Sequence, residues 1–364
     1  MKSETKRRKI LLRCLITVGA VIIIFILLRI ISFPPNPYKN VTITGEHEVK
    51  ITEFTWTDES RVETFTDTGE KRALTVKFWY PEEEGSYPLV VFSHGAFGII
   101  DSNYSTCMEL ASNGYVVASI AHPYHAMFVK DVNGKVTIAD MNFVKSMYEG
   151  NGTYDPETEK KSYENSKEWM KLRVDDENFV LDTILDKSKA GENAPFSLID
   201  TEKIGLFGHS MGGASSVQLG RMREDIDAVI DLEGTMMGEY AGFENGMEIY
   251  NEEPYPVPLL DVNGRRVYEM MQEMKAELPD SLSDWQYVNF YVGENAADYR
   301  AVIFNDTGHL NFTDLPLVSP VLAKLLGVGK VRADACIGNV NEIVLDYFDY
   351  YLKDKGELNL KSEY

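Results

Sequence analysis

The spacing of hydrophobic and polar positions changes twice along the chain. Residues 10–33, ILLRCLITVGAVIIIFILLRIISF, form an apolar run of 24 residues interrupted by charge only at Arg13 and Arg29. At about 1.5 Å per residue, a helix of that length covers the ~30 Å hydrocarbon layer of a bilayer, and arginines near its ends can reach the interface. After Pro34-Pro-Asn-Pro37 the segment from Val41 to Tyr80 alternates, as in Leu74-Thr-Val-Lys-Phe78, which predicts early strands with one wet face. From Tyr87 onward the pattern becomes short continuous apolar runs at 88–92, 115–120, 204–208, 228–232, 257–260 and 301–304. Strands apolar on both sides are expected where helices cover both faces of a parallel sheet.

Helical spacing falls between those runs, at 105–113, 169–185, 215–223, 265–278 and 335–353. Repeated strand, helix, strand predicts an α/β fold: a mostly parallel sheet flanked by helices on both faces. The expected organisation is a tail at 1–9, a transmembrane signal anchor at 10–33, a linker at 34–40 and one large domain at 41–364. An insertion lies at about 124–167, with a hairpin expected around Asp131-Val-Asn-Gly134 and a solvated loop, or a lid or rim over a site, at 149–166.

Charge sharpens this picture. The net charge is −21, yet the first 30 residues hold seven of the 36 Lys and Arg and one of the 57 acidic residues, so the remainder stands at −27. Such a body repels phosphate backbones, and no basic stripe argues for nucleic acid as a partner. The Lys6-Arg-Arg-Lys9 cluster predicts the N-terminus inside and the large domain outside the cytoplasm. No small-residue cleavage site follows the apolar run, which favours an uncleaved anchor over a removed signal peptide. Beyond it, Cys107 and Cys336 allow at most one bridge, so stability must come from the core. Five Asn-x-Ser/Thr sequons occur, and two of them, at Asn305 and Asn311, flank His309.

The chemistry centres on Gly205-Leu-Phe-Gly-His-Ser-Met-Gly-Gly-Ala214, where Ser210 sits between glycines two residues to either side. A buried-strand signal precedes it and a helical pattern follows, the strand-turn-helix setting of a nucleophile elbow. A Cβ at 208 or 212 would collide where strand and helix cross. A serine hydroxyl needs a base and a third group to orient that base. His309, in Thr307-Gly-His-Leu-Asn-Phe-Thr-Asp314, is the one histidine of six that follows Ser210. For the acid, Ala228-Val-Ile-Asp-Leu-Glu-Gly234 offers Glu233 at a strand end and Asp231 one pleat earlier, while Asp261 lies within the next strand and the turn after Gly264 holds no carboxylate. Glu233 is the preferred candidate. The backbone N–H of Met211 and that of Ala96, or alternatively Phe97, in His94-Gly-Ala-Phe-Gly98 would bind an oxyanion. His94 is read as a packing residue. His122 and His125 have the spacing of a metal pair but no carboxylate or cysteine nearby in sequence, so no metal site is expected.

Five stretches, SHGAFG, AHPYHAMFV, GHSMGGA, IDLEGTM and GHLNFTDLP, occur in an order that resembles the α/β-hydrolase family of platelet-activating factor acetylhydrolases and their bacterial esterase relatives. The likeness takes in TWTDESRVETF and KFWYP as well, and so covers roughly residues 50–353. It implies an α/β-hydrolase fold and a cofactor-free serine hydrolase of short or oxidised acyl esters. It also implies Ser210 as nucleophile, His309 as base, Glu233 as acid where Asp is more usual, and Ala96 and Met211 at the oxyanion positions. A peptidase or lactonase on the same fold, or a degenerate hydrolase serving as a binding module, would share much of this pattern.

Overall fold

The computed structural model describes residues 29, 32–149, 156–277 and 286–364. The span expected at 10–33 and the tail before it lie outside these, apart from residues 29, 32 and 33; among the described residues no helix is long and apolar enough to cross a membrane.

The chain opens with an antiparallel pair, β1 (Val49–Val62) and β2 (Lys71–Pro81). There follow β3 (Tyr87–Ser93), α1 (Tyr104–Ser112), β4 (Val116–Ala121) and a small hairpin of β5 (Phe128–Lys130) and β6 (Val136–Ile138). The short α2 (Met141–Ser146) and the 34-residue α3 (Pro156–Lys189) lead into β7 (Ile199–His209), α4 (Met211–Met222) and β8 (Ala228–Leu232). A second hairpin, β9 (Tyr240–Glu244) and β10 (Met247–Tyr250), precedes β11 (Leu259–Gly264), α5 (Arg265–Glu277), α6 (Val288–Asn295) and β12 (Tyr299–Phe304). Beyond β12 come α7 (Leu315–Val318), α8 (Pro320–Leu325) and α9 (Ala333–Lys353).

Eight strands form one sheet in the order β1-β2-β4-β3-β7-β8-β11-β12. Pairing is antiparallel from β1 to β4 and parallel from there to β12. Alternate residues of the parallel strands feed two cores. Leu89, Val91 and Val229 pack with Val174, Leu181 and Ile184 of α3 on one face. Val90, Phe92, Ile230 and Leu232 pack with Leu110 of α1 and Val340, Val344 and Phe348 of α9 on the other. This double coverage explains why those strands read as continuous apolar runs. Cys107 and Cys336 both belong to the second core as free thiols. Gly205 belongs there for a steric reason: a Cβ would come within 2.5 Å of the Phe348 ring.

Two local expectations change. β2 is buried on both faces over most of its length, because it lies between β1 and β4 rather than at an edge. The polar stretch assigned to a solvated loop is helical from Pro156 onward, so α3 begins 13 residues before the apolar stripe at 169. Pro at the first turn, Glu157 and Glu159 near the positive end of the helix dipole, and a run of lysines and glutamates with good helical propensity favour this start, and Tyr163 packs it against Tyr240 and Phe243 of the second hairpin.

Candidate active site at the carboxyl edge of the sheet

Ser210 stands where β7 passes directly into α4, with φ 55° and ψ −125°. A left-handed φ is costly for a residue with a Cβ and persists only where the surroundings dictate it. Here they do: a Cβ on Gly208 would lie 2.2 Å from the carbonyl carbon of Gly212, and one on Gly212 would lie 2.0 Å from the Ser93 oxygen. The serine N–H donates to the Leu232 carbonyl (2.9 Å), which ties the elbow to the end of β8. Met211 opens α4, and its N–H therefore has no acceptor in the helix and faces out at the amino end.

On the adjacent strand ends, Glu233 follows β8 directly, also with a positive φ of 55°. Its N–H donates to the Val262 carbonyl at 2.7 Å. Its carboxylate is fixed on both oxygens: Oε1 accepts the Gly264 N–H (2.7 Å) and Oε2 lies 2.7 Å from Nδ1 of His309. The carboxylate is buried whereas the imidazole is 44% exposed, so one ring edge faces protein and the other faces the open site. Among the described residues no hydrogen bond joins His309 to Ser210. The two are connected through His209, whose ring lies 4.6 Å from that of His309 and whose Nε2 is 3.0 Å from the His309 carbonyl oxygen.

The loop bearing His309 is held from within. Asn311 is 1% exposed, and its Oδ1 accepts the N–H groups of Gly308 (2.9 Å) and Gly329 (2.7 Å). That side chain is buried, so the folded protein does not present this sequon to solvent. At the other sequon, Oδ1 of Asn305 accepts from Nε of Arg265 at 2.5 Å.

The competing acids occupy different places. Asp231 is fully buried beneath the elbow; its Oδ1 accepts the Gly234 N–H at 2.8 Å. Burial, with Asp261 opposite on β11, pushes its carboxyl well above the usual carboxylate range. Asp261 is bound by Tyr299 Oη (2.8 Å) and Asn263 Nδ2 (2.7 Å), and burial raises it too. Both face protein, and His309 contacts Glu233.

After β3, the turn His94-Gly-Ala-Phe-Gly98 approaches the serine closely: a Cβ on Gly95 would sit 3.0 Å from Cβ of Ser210. The Phe97 N–H is taken by the His125 carbonyl (2.9 Å) and that of Gly98 by the Gly95 carbonyl (3.0 Å). Ala96 is left with an N–H that has no protein acceptor among the described residues. His94 is fully buried, with burial and the nearby Arg173 charge depressing its pKa. His122 and His125 are buried as well. His122 lies between Ser93 Oγ (3.0 Å) and Asp176 (3.1 Å), and His125 stacks on Phe143 with centroids 3.8 Å apart. Among the described residues no group of His, Cys, Asp and Glu is arranged to hold a metal ion.

Apolar side chains border the serine. Phe143, Met170, Met211 and Ala214 form a small buried cluster with Ala96, Phe97, Trp169 and Met237 against it. Phe143 comes from the 124–167 insertion, which thus packs directly on the His94–Gly98 turn, 5.2 Å from the Phe97 ring. Three residues support this arrangement in ways that residue order does not indicate: Gly264, Asn311 and Arg173. Arg173 has a visible signal, since with Asp176 and Glu177 it places charge on the side of the helix that carries the 170, 174, 181 stripe.

Comparison with known proteins agrees with this architecture. The family model for platelet-activating factor acetylhydrolase, isoform II, matches residues 64–362. The platelet-activating factor acetylhydrolase of Cavia porcellus is 24% identical over 276 residues, covering 73% of this chain and 58% of its own length. That of Bos taurus is 26% identical over 237 residues, covering 62% of this chain and 51% of its own. The chain therefore spans about half the length of these curated relatives. Among solved structures, a ferulic acid esterase from Streptomyces cinnamoneus superposes with a TM-score of 0.63 at 22% identity, over 88% of this chain and 95% of that one. A dienelactone hydrolase-like phosphotriesterase from metagenomic libraries gives 0.51 at 14% identity, over 83% and 98%. These two likenesses show an α/β-hydrolase fold, and the family match, extending over most of the sequence, shows that the chain belongs to the platelet-activating factor acetylhydrolase isoform II family.

Proposed function

We propose that the protein is a serine hydrolase of carboxylic esters that works through an acyl-enzyme. Ser210 attacks the ester carbonyl while His309 takes its proton; Glu233 keeps the imidazole proton on Nδ1 and stabilises the cation that forms. The N–H groups of Ala96 and Met211 receive the oxyanion; its collapse breaks the ester C–O bond and expels the alcohol, which takes the proton from His309, and a water deprotonated by the same imidazole then releases the acyl group as the acid and restores the Ser210 hydroxyl. The observation that carries this reading is the Glu233–His309 pair at 2.7 Å, set at the strand edge that also presents a strained, glycine-flanked serine.

The apolar cluster of Phe97, Phe143, Trp169 and Met237 beside Met211 supports a hydrophobic acyl group. Together with the family membership, this favours short-chain acyl esters, including acetyl or oxidised acyl groups of lipids. The apolar run at 10–33 behind a basic cluster supports tethering to a membrane with the catalytic body outside the cytoplasm. Protease digestion of intact cells that leaves the catalytic body untouched would reject that placement.

The test of the chemistry is hydrolysis of p-nitrophenyl esters of graded chain length by wild type and Ser210→Ala. Loss of at least ~10³-fold in kcat is expected. Unchanged turnover in the variant would remove Ser210 as the nucleophile, whereas a wild type that neither hydrolyses these esters nor is labelled by a fluorophosphonate would leave a binding module as the better reading.

A further inference from the structure

Arg173 lies in the middle of α3 with no exposed surface. A buried cation is costly unless paired. Yet among the described residues no carboxylate is within ion-pair distance of it; Asp176, one turn on, is engaged by Arg72 and Arg61. The guanidinium points at backbone instead. Nη1 donates to the His94 carbonyl at 2.7 Å, Nη2 to the Gly95 carbonyl at 3.3 Å, and Nε to Nδ1 of His125 at 3.3 Å. Burial lowers its pKa to about 10, with Glu177 and Asp176 acting the other way, so it is cationic at neutral pH.

The Gly95 carbonyl belongs to the same amide as the Ala96 N–H. That bond is trans, and in a planar trans amide the C=O and N–H point in opposite directions. Fixing the oxygen from one side therefore aims the N–H toward the other. The same oxygen also accepts the Gly98 N–H (3.0 Å) and lies 2.7 Å from Nδ1 of His94, so it is held in three directions. A cation on a carbonyl oxygen withdraws density from the amide as well, which makes its N–H a stronger donor.

Resting on the ester-hydrolase reading above, we propose that Arg173 is a positioning residue of the oxyanion hole: through the Gly95 carbonyl it sets the direction and strength of the Ala96 N–H. It touches no substrate atom and acts only on the peptide that does. Because the oxyanion exists in the transition state and not in the bound ester, its removal should affect kcat and leave KM nearly unchanged.

The experiment compares wild type, Arg173→Lys, Arg173→Met and Ser210→Ala in melting temperature, kcat and KM on a p-nitrophenyl ester, and Ki for a trifluoromethyl ketone of matching acyl length, whose serine adduct places an oxyanion in the hole. Arg173→Met should lose ~30- to 300-fold in kcat, Arg173→Lys less, each with KM within about threefold and Ki weakened in step with kcat/KM. A natively melting Arg173→Lys that keeps both kcat and Ki within about twofold of wild type overturns the proposal. So does an Arg173→Lys that melts more than ~10 °C lower, since the side chain would then be a fold element first. Full activity in Ser210→Ala would instead remove the reading of Ser210 as the nucleophile, on which the proposal rests.

Discussion

Glu233→Gln isolates the role of the acid, because the geometry dictates which way the new amide must face. Oε1 of Glu233 accepts the Gly264 N–H at 2.7 Å, and an amide NH2 there would oppose two donors. The glutamine oxygen therefore keeps that bond, and its NH2 faces Nδ1 of His309, 2.7 Å away. The imidazole must then accept at Nδ1 and carry its proton on Nε2, the nitrogen that has to take a proton from Ser210. A loss of 10³- to 10⁴-fold in kcat is expected, about 4–5.5 kcal/mol of transition-state stabilisation, with little change in volume or packing. Asp231→Asn is the matched control. Asp231 is buried with one oxygen on the Gly234 N–H and the other without a partner among the described residues, and burial, with Asp261 opposite, raises its pKa and so favours the protonated carboxyl. An asparagine reproduces one acceptor and one donor, so a loss below ~10-fold is expected. The assay is steady-state hydrolysis of a p-nitrophenyl ester beside a thermal melt of each variant. Should Glu233→Gln keep more than a tenth of wild-type kcat/KM while Asp231→Asn loses more, the acid has been misassigned.

Two further outcomes bear on the loop that carries His309. Asn311→Ala strands the Gly308 and Gly329 N–H groups, at about 1–3 kcal/mol for each buried donor left unpaired, so a clear drop in melting temperature should come with reduced kcat, as measured by calorimetry and the ester assay. Asp314, which binds the N–H and hydroxyl of Ser105 at 2.7 and 2.6 Å, is raised to about 7 by burial and then by Asp101. A carboxyl raised in the folded state contributes stability that is complete below its unfolded pKa of about 3.9 and is lost as pH climbs through about 7. Melting of wild type relative to Asp314→Asn should therefore decline between pH ~4 and ~7; a difference that stays flat across that window would contradict the assignment.

Much of this arrangement is legible from residue order because it rests on strong local signals. Continuous apolar runs separated by helical stripes mark a doubly covered parallel sheet, and glycines at 208 and 212 mark a crossing where a Cβ comes within 2.2 and 2.0 Å of backbone. The start of α3 is not legible from periodicity, since residues 156–168 carry no apolar stripe and their packing rests on Tyr163 against Tyr240 and Phe243 of the second hairpin. Arg173 is hidden for a different reason. Its partners are carbonyl oxygens of a loop some eighty residues earlier, and backbone acceptors leave no trace in side-chain identity. Likewise residue order does not show that the His125 carbonyl takes the Phe97 N–H, the observation that favours Ala96 over Phe97 in the proposed mechanism.

The missing carboxylate after β11 has a structural cause that connects these points. A Cβ at Gly264 would lie 2.6 Å from Oε1 of Glu233 and 2.8 Å from Oγ1 of Thr307, so a side chain there would displace the acid bound one strand away. Glycine instead brings its own N–H to that oxygen and leaves the second oxygen for His309. An acid one strand nearer the elbow needs just such a bare neighbour to lie flat across the strand ends. Glutamate, one methylene longer than aspartate, spans from the end of β8 to both Gly264 and the imidazole. Shortening it to Asp at 233 therefore cannot keep both bonds without moving a strand end.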